Sequence, residues 1–221
     1  RSSDLYALYL RMRMRSPAAA TYLGIKNYLC WRHLEDQPFA WGWKDPRNTF
    51  TLPVWLSVFK GARVIHVRRH GVDVARSLVV RNRRERERGF ARFSRWGRHP
   101  WIFQIRPKKG GFVPSVRCRS MEGAFDIWSE YMARAETLLS VLNCPVLDLG
   151  YERLLQQPEK EFNTVADFCG LPHAEKKIPA IAGAVEPGRA YAYQRHAELR
   201  RFAGEQADRL ARFGYSPAGG A

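Results

Sequence analysis

Arg63-Val64-Ile65-His66-Val67-Arg68-Arg69-His70-Gly71-Val72-Asp73-Val74-Ala75-Arg76-Ser77 is the stretch on which the fold turns. Its opening run, Arg63 to Val67, is short, apolar and β-branched, the pattern of a strand buried in a parallel sheet. The chain then turns at Arg69-His70-Gly71 into a helix expected from about Val72 to Arg88. Asp73 falls in the first turn, where a carboxylate complements the helix dipole. An arginine at a strand end and a hydroxyl in the following helix can converge on one phosphate, since Arg offers a planar fork of donors and Ser adds a neutral one. The plain alternative is that Arg69 pairs with Asp73 while Ser77 fills a helix surface.

Outward from this stretch, the elements alternate. Asp4 to Arg13 and Ala18 to His33 read as helices separated at Ser16-Pro17. Phe39 to Trp43 is a short aromatic strand candidate ending at Lys44-Asp45-Pro46-Arg47, and Val54 to Phe59 reads as a helix started by Pro53. Downstream, Phe125, Trp128, Met132, Ala135, Leu139 and Leu142 recur at spacings of 3 and 4, the stripe of a long amphipathic helix. Pro145 to Leu149 is a second buried strand. Phe162, Val165, Ala166 and Cys169 mark a helix closed by Gly170, and Leu199, Phe202, Leu210 and Phe213 mark a last one ending before Gly214. Strands alternating with helices imply an α/β layered fold with a parallel sheet, whose ligands bind beyond the carboxyl ends of the strands. Two strand ends therefore matter: Val67-Arg68-Arg69 and Leu149-Gly150-Tyr151. The 221 residues suit one domain spanning 1–221.

A hydrophobic fraction of 45% excludes global disorder, and no apolar run reaches the roughly 20 residues a membrane span needs. The net charge of +16 implies an anionic partner. Residues 81–119 carry +11 of it, interleaved with Phe90, Phe93, Trp96, Trp101, Phe103 and Phe112. This basic insertion reads as an irregular excursion with solvated arginines, as a lid over an anionic acceptor, or as a surface for single-stranded nucleic acid. Cys30, Cys118, Cys144 and Cys169 are widely spaced and the six histidines form no ligand-spaced cluster, so the expectation is reduced thiols, no metal and a cytoplasmic location.

Three segments, in order, resemble sulfotransferases that use 3′-phosphoadenosine 5′-phosphosulfate (PAPS) as donor. The Arg63–Ser77 stretch is similar to their 3′-phosphate-binding segment, in which an Arg and a Ser eight positions apart hold that phosphate, as Arg69 and Ser77 would here. Gly71 stands where many cytosolic members have Pro, which is more like the bacterial and tyrosylprotein branches. Trp41-Gly42-Trp43-Lys44-Asp45-Pro46-Arg47 resembles the upstream segment whose Lys stabilises charge on the bridging oxygen, making Lys44 the catalytic candidate; its alternative is a strand-end lysine in solvent. Tyr151-Glu152-Arg153-Leu154-Leu155-Gln156-Gln157-Pro158-Glu159 resembles the segment whose Tyr lies near the adenine, with Arg153 replacing the usual Asp; Tyr151 is otherwise a core tyrosine. Gly188-Arg189 falls roughly where a late loop closes over the donor phosphates.

The resemblance implies a three-layer parallel-sheet fold similar to P-loop nucleotide-binding domains. It also implies in-line transfer of a sulfuryl group from PAPS to an acceptor hydroxyl or amine, with no metal required. Asp45, Glu35 and Asp36 are candidates for the general base. The acceptor stays open among an anionic glycan, a lipid and a small molecule, or a peptide tyrosine. The family's opening strand and Gly-rich phosphate loop have no counterpart in Arg1 to Arg32, so the expectation is a domain that begins upstream of Arg1. The rivals are a non-catalytic nucleic-acid-binding protein using residues 81–119, and a nucleotide kinase whose phosphate loop is missing.

Overall fold

Both strand candidates form, each displaced by one residue: β1 is Val64–Arg68 and β2 is Val146–Gly150. They pair as a small parallel sheet of two strands, with Val64 N–H donating to the Pro145 carbonyl at 2.9 Å beside it. The computed structural model describes residues 2–31, 38, 40–96 and 115–219, apart from the side chains at 2, 3, 18, 22 and 91–96. In chain order the α-helices are α1 (Ser2–Met14), α2 (Ala20–Leu23), α3 (Ile25–Trp31), α4 (Asn48–Val58), α5 (Gly71–Trp96), α6 (Met121–Leu139), α7 (Tyr151–Gln156), α8 (Pro158–Cys169), α9 (Ile178–Gly183), α10 (Ala197–Glu205) and α11 (Ala207–Ala211). Short 3-10 turns at Pro17–Ala19, Arg117–Arg119, Ala174–Lys176, Pro187–Arg189 and Ala192–Arg195 fill the gaps. The mixed helix and strand content is that of an α/β domain.

The chain divides into two compact units. The first comprises Arg1–His66, Arg134–Leu149 and Pro158–Ala184. There the Arg11 guanidinium donates to the Ser57 carbonyl at 2.5 Å, tying α1 to α4, and His66 Nδ1 lies 3.1 Å from Asp148 across the two strands. Arg63 donates to the Phe168 carbonyl near the end of α8. That helix closes as its sequence implies: Leu171 N–H reaches the Ala166 carbonyl and Gly170 N–H the Asp167 carbonyl, the paired bonds of a Schellman motif.

The second unit comprises Val67–Ala133, Gly150–Gln157 and Val185–Ala221. Its core gathers Val72 and Ala75 of α5, Ala124, Phe125, Trp128 and Met132 of α6, and Tyr193, Leu199, Phe202, Leu210, Phe213 and Tyr215 from the C-terminal segment. The stripe on α6 is thus core, as its period implies. Asn82, buried in α5, donates to the Cys118 carbonyl at 3.2 Å and accepts from Ser115 N–H at 2.9 Å, so residues 115–118 dock on the helix.

Several expectations are corrected. Ala18 to His33 is not one helix: Gly24, at φ +75°, separates α2 from α3, a backbone angle that breaks a right-handed helix. Residues 40–43 form no strand; Trp41 and Trp43 pack instead on Phe59 and Trp55 of the following segment, at centroid distances of 5.1 Å for Trp41–Phe59 and Trp43–Trp55. Helix α4 starts at Asn48, with Pro53 inside it. The Asp45 carboxylate and carbonyl accept from Arg47 and Asn48 N–H, which turns the chain into a helix before the proline is reached. Helix α5 runs on to Trp96, into the basic stretch, because its Arg/Glu run pairs along the helix: Arg83 with Glu87 and Arg88 with Glu85, both at 2.9 Å. The last helix is two, broken at Gln206. Phe39, and the insertion from 97 to 114, lie outside the described residues.

Candidate functional site

In the second unit, β1 ends at Arg68 and α5 begins at Gly71, leaving Arg69 and His70 as the connection. His70 is fully buried and works as the helix cap. Its carbonyl accepts from Val74 N–H at 3.1 Å, and its Nδ1 accepts from Val72 N–H at 3.3 Å. With Nδ1 accepting, the ring proton belongs on Nε2, which donates to the Ser216 carbonyl at 3.1 Å. The ring stacks on Tyr193 at 4.3 Å and 11°, with Tyr215 edge-on at 5.4 Å. Burial pushes the His70 pKa down, partly offset by the Ser216 bond, so the neutral ring is favoured.

The second strand end locks onto the first. Glu152, buried at the start of α7, accepts the His70 backbone N–H at 2.8 Å. Burial pushes its carboxyl pKa up while that bond pulls it down. Trp128 fastens the same connection from α6, its indole N–H donating to the Arg69 carbonyl at 3.1 Å. Gly71 is required by this packing: a Cβ there would lie 2.7 Å from Phe125 Cε2 and 2.7 Å from Trp128 Cε3, both in buried rings.

These locks present one arginine. The Arg69 guanidinium lies over the Tyr151 ring at 4.5 Å, donates through Nη2 to the Arg189 carbonyl at 3.2 Å, and has Asp73 Oδ2 3.4 Å from the same amine. Its Nε is buried without a hydrogen-bond partner among the described residues. The structure therefore brings Arg69, Tyr151 and Arg189 together. The Arg189 guanidinium pairs with Glu186 at 2.6 Å, which raises its already high pKa, with Tyr151 adding to the effect. Ser77 is exposed on α5, and no described hydrogen bond joins it to Arg69. The Arg69–Asp73 pair and an exposed Ser77 are the arrangement that the plain alternative anticipated.

Lys44 belongs to the first unit. It is exposed, in irregular chain between Trp43 and Asp45. Trp43 is 41% exposed and Trp41 37%, stacked on one another at 5.8 Å. Asp45 is a poor candidate for a base: both its oxygens face the Arg47 guanidinium at 2.6–3.0 Å, and this bonding lowers its pKa. Glu35 and Asp36 lie outside the described residues. All four cysteines are free, and among the described residues no three His, Cys, Asp or Glu side chains gather as a metal site. Among the same residues no helix is long and apolar enough to cross a membrane.

Sequence reasoning passed over His70 and Glu152. Their signal was positional: a residue directly before a helix start is its cap, and a Glu at the other strand end is within reach of the same turn. From the sequence, Asp73 complements the helix dipole or, in the plain alternative, pairs with Arg69. It also accepts from Ala192 N–H at 3.1 Å and Tyr193 N–H at 2.9 Å.

No curated protein and no solved structure matches the chain. The sequence model described as the sulfotransferase family matches residues 2–175, a span that takes in both strands, Lys44, Arg69, Ser77 and Tyr151 and stops short of Arg189. That span is well over half of the 221 residues, and the chain belongs to the sulfotransferase family.

Proposed function

We propose that this sulfotransferase takes PAPS as its donor and binds the nucleotide's 3′-phosphate at Arg69. The observation that carries this reading is the meeting of Arg69, Tyr151 and Arg189 where β1 and β2 end. The residues present suit such a group: the Arg69 Nε is a buried donor without a partner, and an aromatic face lies beside it for a base or ribose. In the proposed roles, Arg69 binds the 3′-phosphate through paired charged donors, Arg189 adds a second cation from the late loop, and Tyr151 borders the adenine side. Ser77, exposed on α5 eight positions after Arg69, is proposed to add a neutral donor to the same phosphate. Lys44 is proposed, from its segment's resemblance, to neutralise charge on the leaving oxygen, the kind of stabilisation on which group transfer depends. The donor supplies the sulfuryl group; the acceptor supplies a hydroxyl or amine. The three-layer parallel sheet of P-loop proteins is the fold proposed for this domain.

The test is thermal unfolding with 3′,5′-adenosine bisphosphate against AMP. The bisphosphate should raise Tm and AMP should do little; equal shifts would remove the 3′-phosphate from the reading. Arg69→Ala should weaken bisphosphate binding by about 1.5–3 kcal/mol, the scale of a charged hydrogen bond.

A further inference from the structure

Asp73 stands at the junction of three pieces of backbone, all in the second unit. Its side chain is 2% exposed. Both carboxylate oxygens are engaged by backbone N–H groups, Oδ1 by Tyr193 at 2.9 Å and Oδ2 by Ala192 at 3.1 Å. These are the first residues of the 3-10 turn Ala192–Arg195, reached through Tyr191, which holds the unusual φ of +49°. The same Oδ2 lies 3.4 Å from Arg69 Nη2, and that amine also donates to the carbonyl of Arg189, two residues before Tyr191. One buried carboxylate thus joins the start of α5, the arginine at the end of β1 and the loop that carries Arg189.

We infer that Asp73 is the positioning residue for anion binding at this strand end: by fixing the Arg69 guanidinium and the Arg189 loop to the start of α5, it holds Arg69 for the nucleotide's 3′-phosphate. This rests on the reading of Arg69 given above. A carboxylate beside an arginine also opposes an incoming anion, so the sign of its effect needs deciding. Three features favour positioning. The Asp73 charge is spent on two backbone N–H groups and lies in the first turn of α5, where the helix dipole offsets it. Its contact to Arg69 is 3.4 Å, longer than the 2.7–2.9 Å or so of a tight charged hydrogen bond, so it steers the guanidinium without saturating it. The pair closes at Nη2, while Nε stays without a hydrogen-bond partner among the described residues. Freed from Asp73, a long side chain would have to be ordered by the ligand, at the ligand's expense in affinity.

The experiment is a double-mutant cycle on the full chain, read by titration calorimetry with 3′,5′-adenosine bisphosphate: wild type, Arg69→Ala, Asp73→Asn and both together. Asp73→Asn should weaken binding by about 5- to 30-fold in the wild-type background and by less than about twofold once Arg69 is gone, as expected of residues that act through one another. A purely structural Asp73 would instead lower affinity equally in both backgrounds, which overturns the inference and leaves the Arg69 site standing. So would an unchanged or tightened affinity in Asp73→Asn beside a weakened Arg69→Ala. An Arg69→Ala protein that binds as well as wild type overturns the site itself. Should Asp73→Asn fail to fold, Asp73→Glu takes its place in the cycle under the same criteria; failure of both to fold makes the residue structural and ends the proposal.

Discussion

At the residue scale, Gly71 shows how little room the site has. The resemblance marks it as the position where many relatives carry Pro, and the structure gives the reason a side chain is unwelcome in this chain. A Cβ would press on Phe125 and Trp128 at 2.7 Å, and these rings are 0% and 4% exposed, so neither can swing into solvent. Gly71→Ala is expected to cost about 1–3 kcal/mol, the usual penalty of overpacking, measured by urea unfolding. Because Trp128 also holds the Arg69 carbonyl, the same variant should bind 3′,5′-adenosine bisphosphate less tightly. A variant of unchanged stability would mean that the rings repack at no cost. Arg69 and Tyr151 could be named from the sequence because they sit at chain positions that the two strand ends define, whereas Arg189, in the late 3-10 turn, came only from the family resemblance. The partners that hold them, His70 and Glu152, are ordinary residue types with no spacing signal between them.

At the scale of elements, the start of α5 couples the fold to pH. His70 caps the helix with a neutral Nδ1, and its pKa is pushed below the ordinary 6.5 by burial. The unfolded chain then takes up a proton first as pH falls below about 6.5. Stability present above that value is lost as pH drops towards the folded pKa. Glu152 acts in the opposite sense: its pKa is raised by burial, so its contribution falls as pH rises above the ordinary 4.5. Comparing wild type with His70→Asn, both of which keep Glu152, isolates the histidine. Between pH 7.5 and 5.5, chosen as about one unit either side of 6.5, the wild type should lose more denaturation free energy than the variant. Parallel pH profiles would show that the imidazole titrates alike in the folded and unfolded states. The elements themselves were legible where period and punctuation agreed, as in β1, β2, α6 and the Gly170 stop. They were misread where local signals competed. Pro53 suggested a helix start that the Asp45 turn had already supplied, and the aromatic run at 40–43 looked like a strand although its rings pack on the next helix.

At the scale of the whole molecule, charge is the dominant property. The +16 is concentrated between 81 and 119, and the described part of that stretch includes the solvent-facing Arg81, Arg83, Arg84, Arg86 and Arg88 of α5. Exposed cations of this kind bind any polyanion through counterion release, with affinity falling by about 10³ or more between 50 and 200 mM salt for six or more phosphates. Oligonucleotide binding, assayed by fluorescence anisotropy, should therefore be salt-steep and unaffected by Lys44→Ala. The Tm shift given by 3′,5′-adenosine bisphosphate should survive the same salt range better, since fewer phosphates are involved. Sequence-selective oligonucleotide binding at about 200 mM salt would instead favour a nucleic-acid partner.

The sequence by itself determined the α/β character, the two strand ends, the family and the chemical kind of each candidate side chain. Those properties follow from local pattern: β-branched runs, helical period, and an arginine placed where a strand stops. Only the tertiary structure decided that Arg69 meets Tyr151 and Arg189 and that Ser77 faces solvent. It alone decided that Asp73 is shared between an arginine and a distant turn, through contacts to residues 119 and 120 positions along the chain. Burial and hydrogen-bond partnership are set by what packs against a residue from elsewhere in the chain, and no local pattern encodes that.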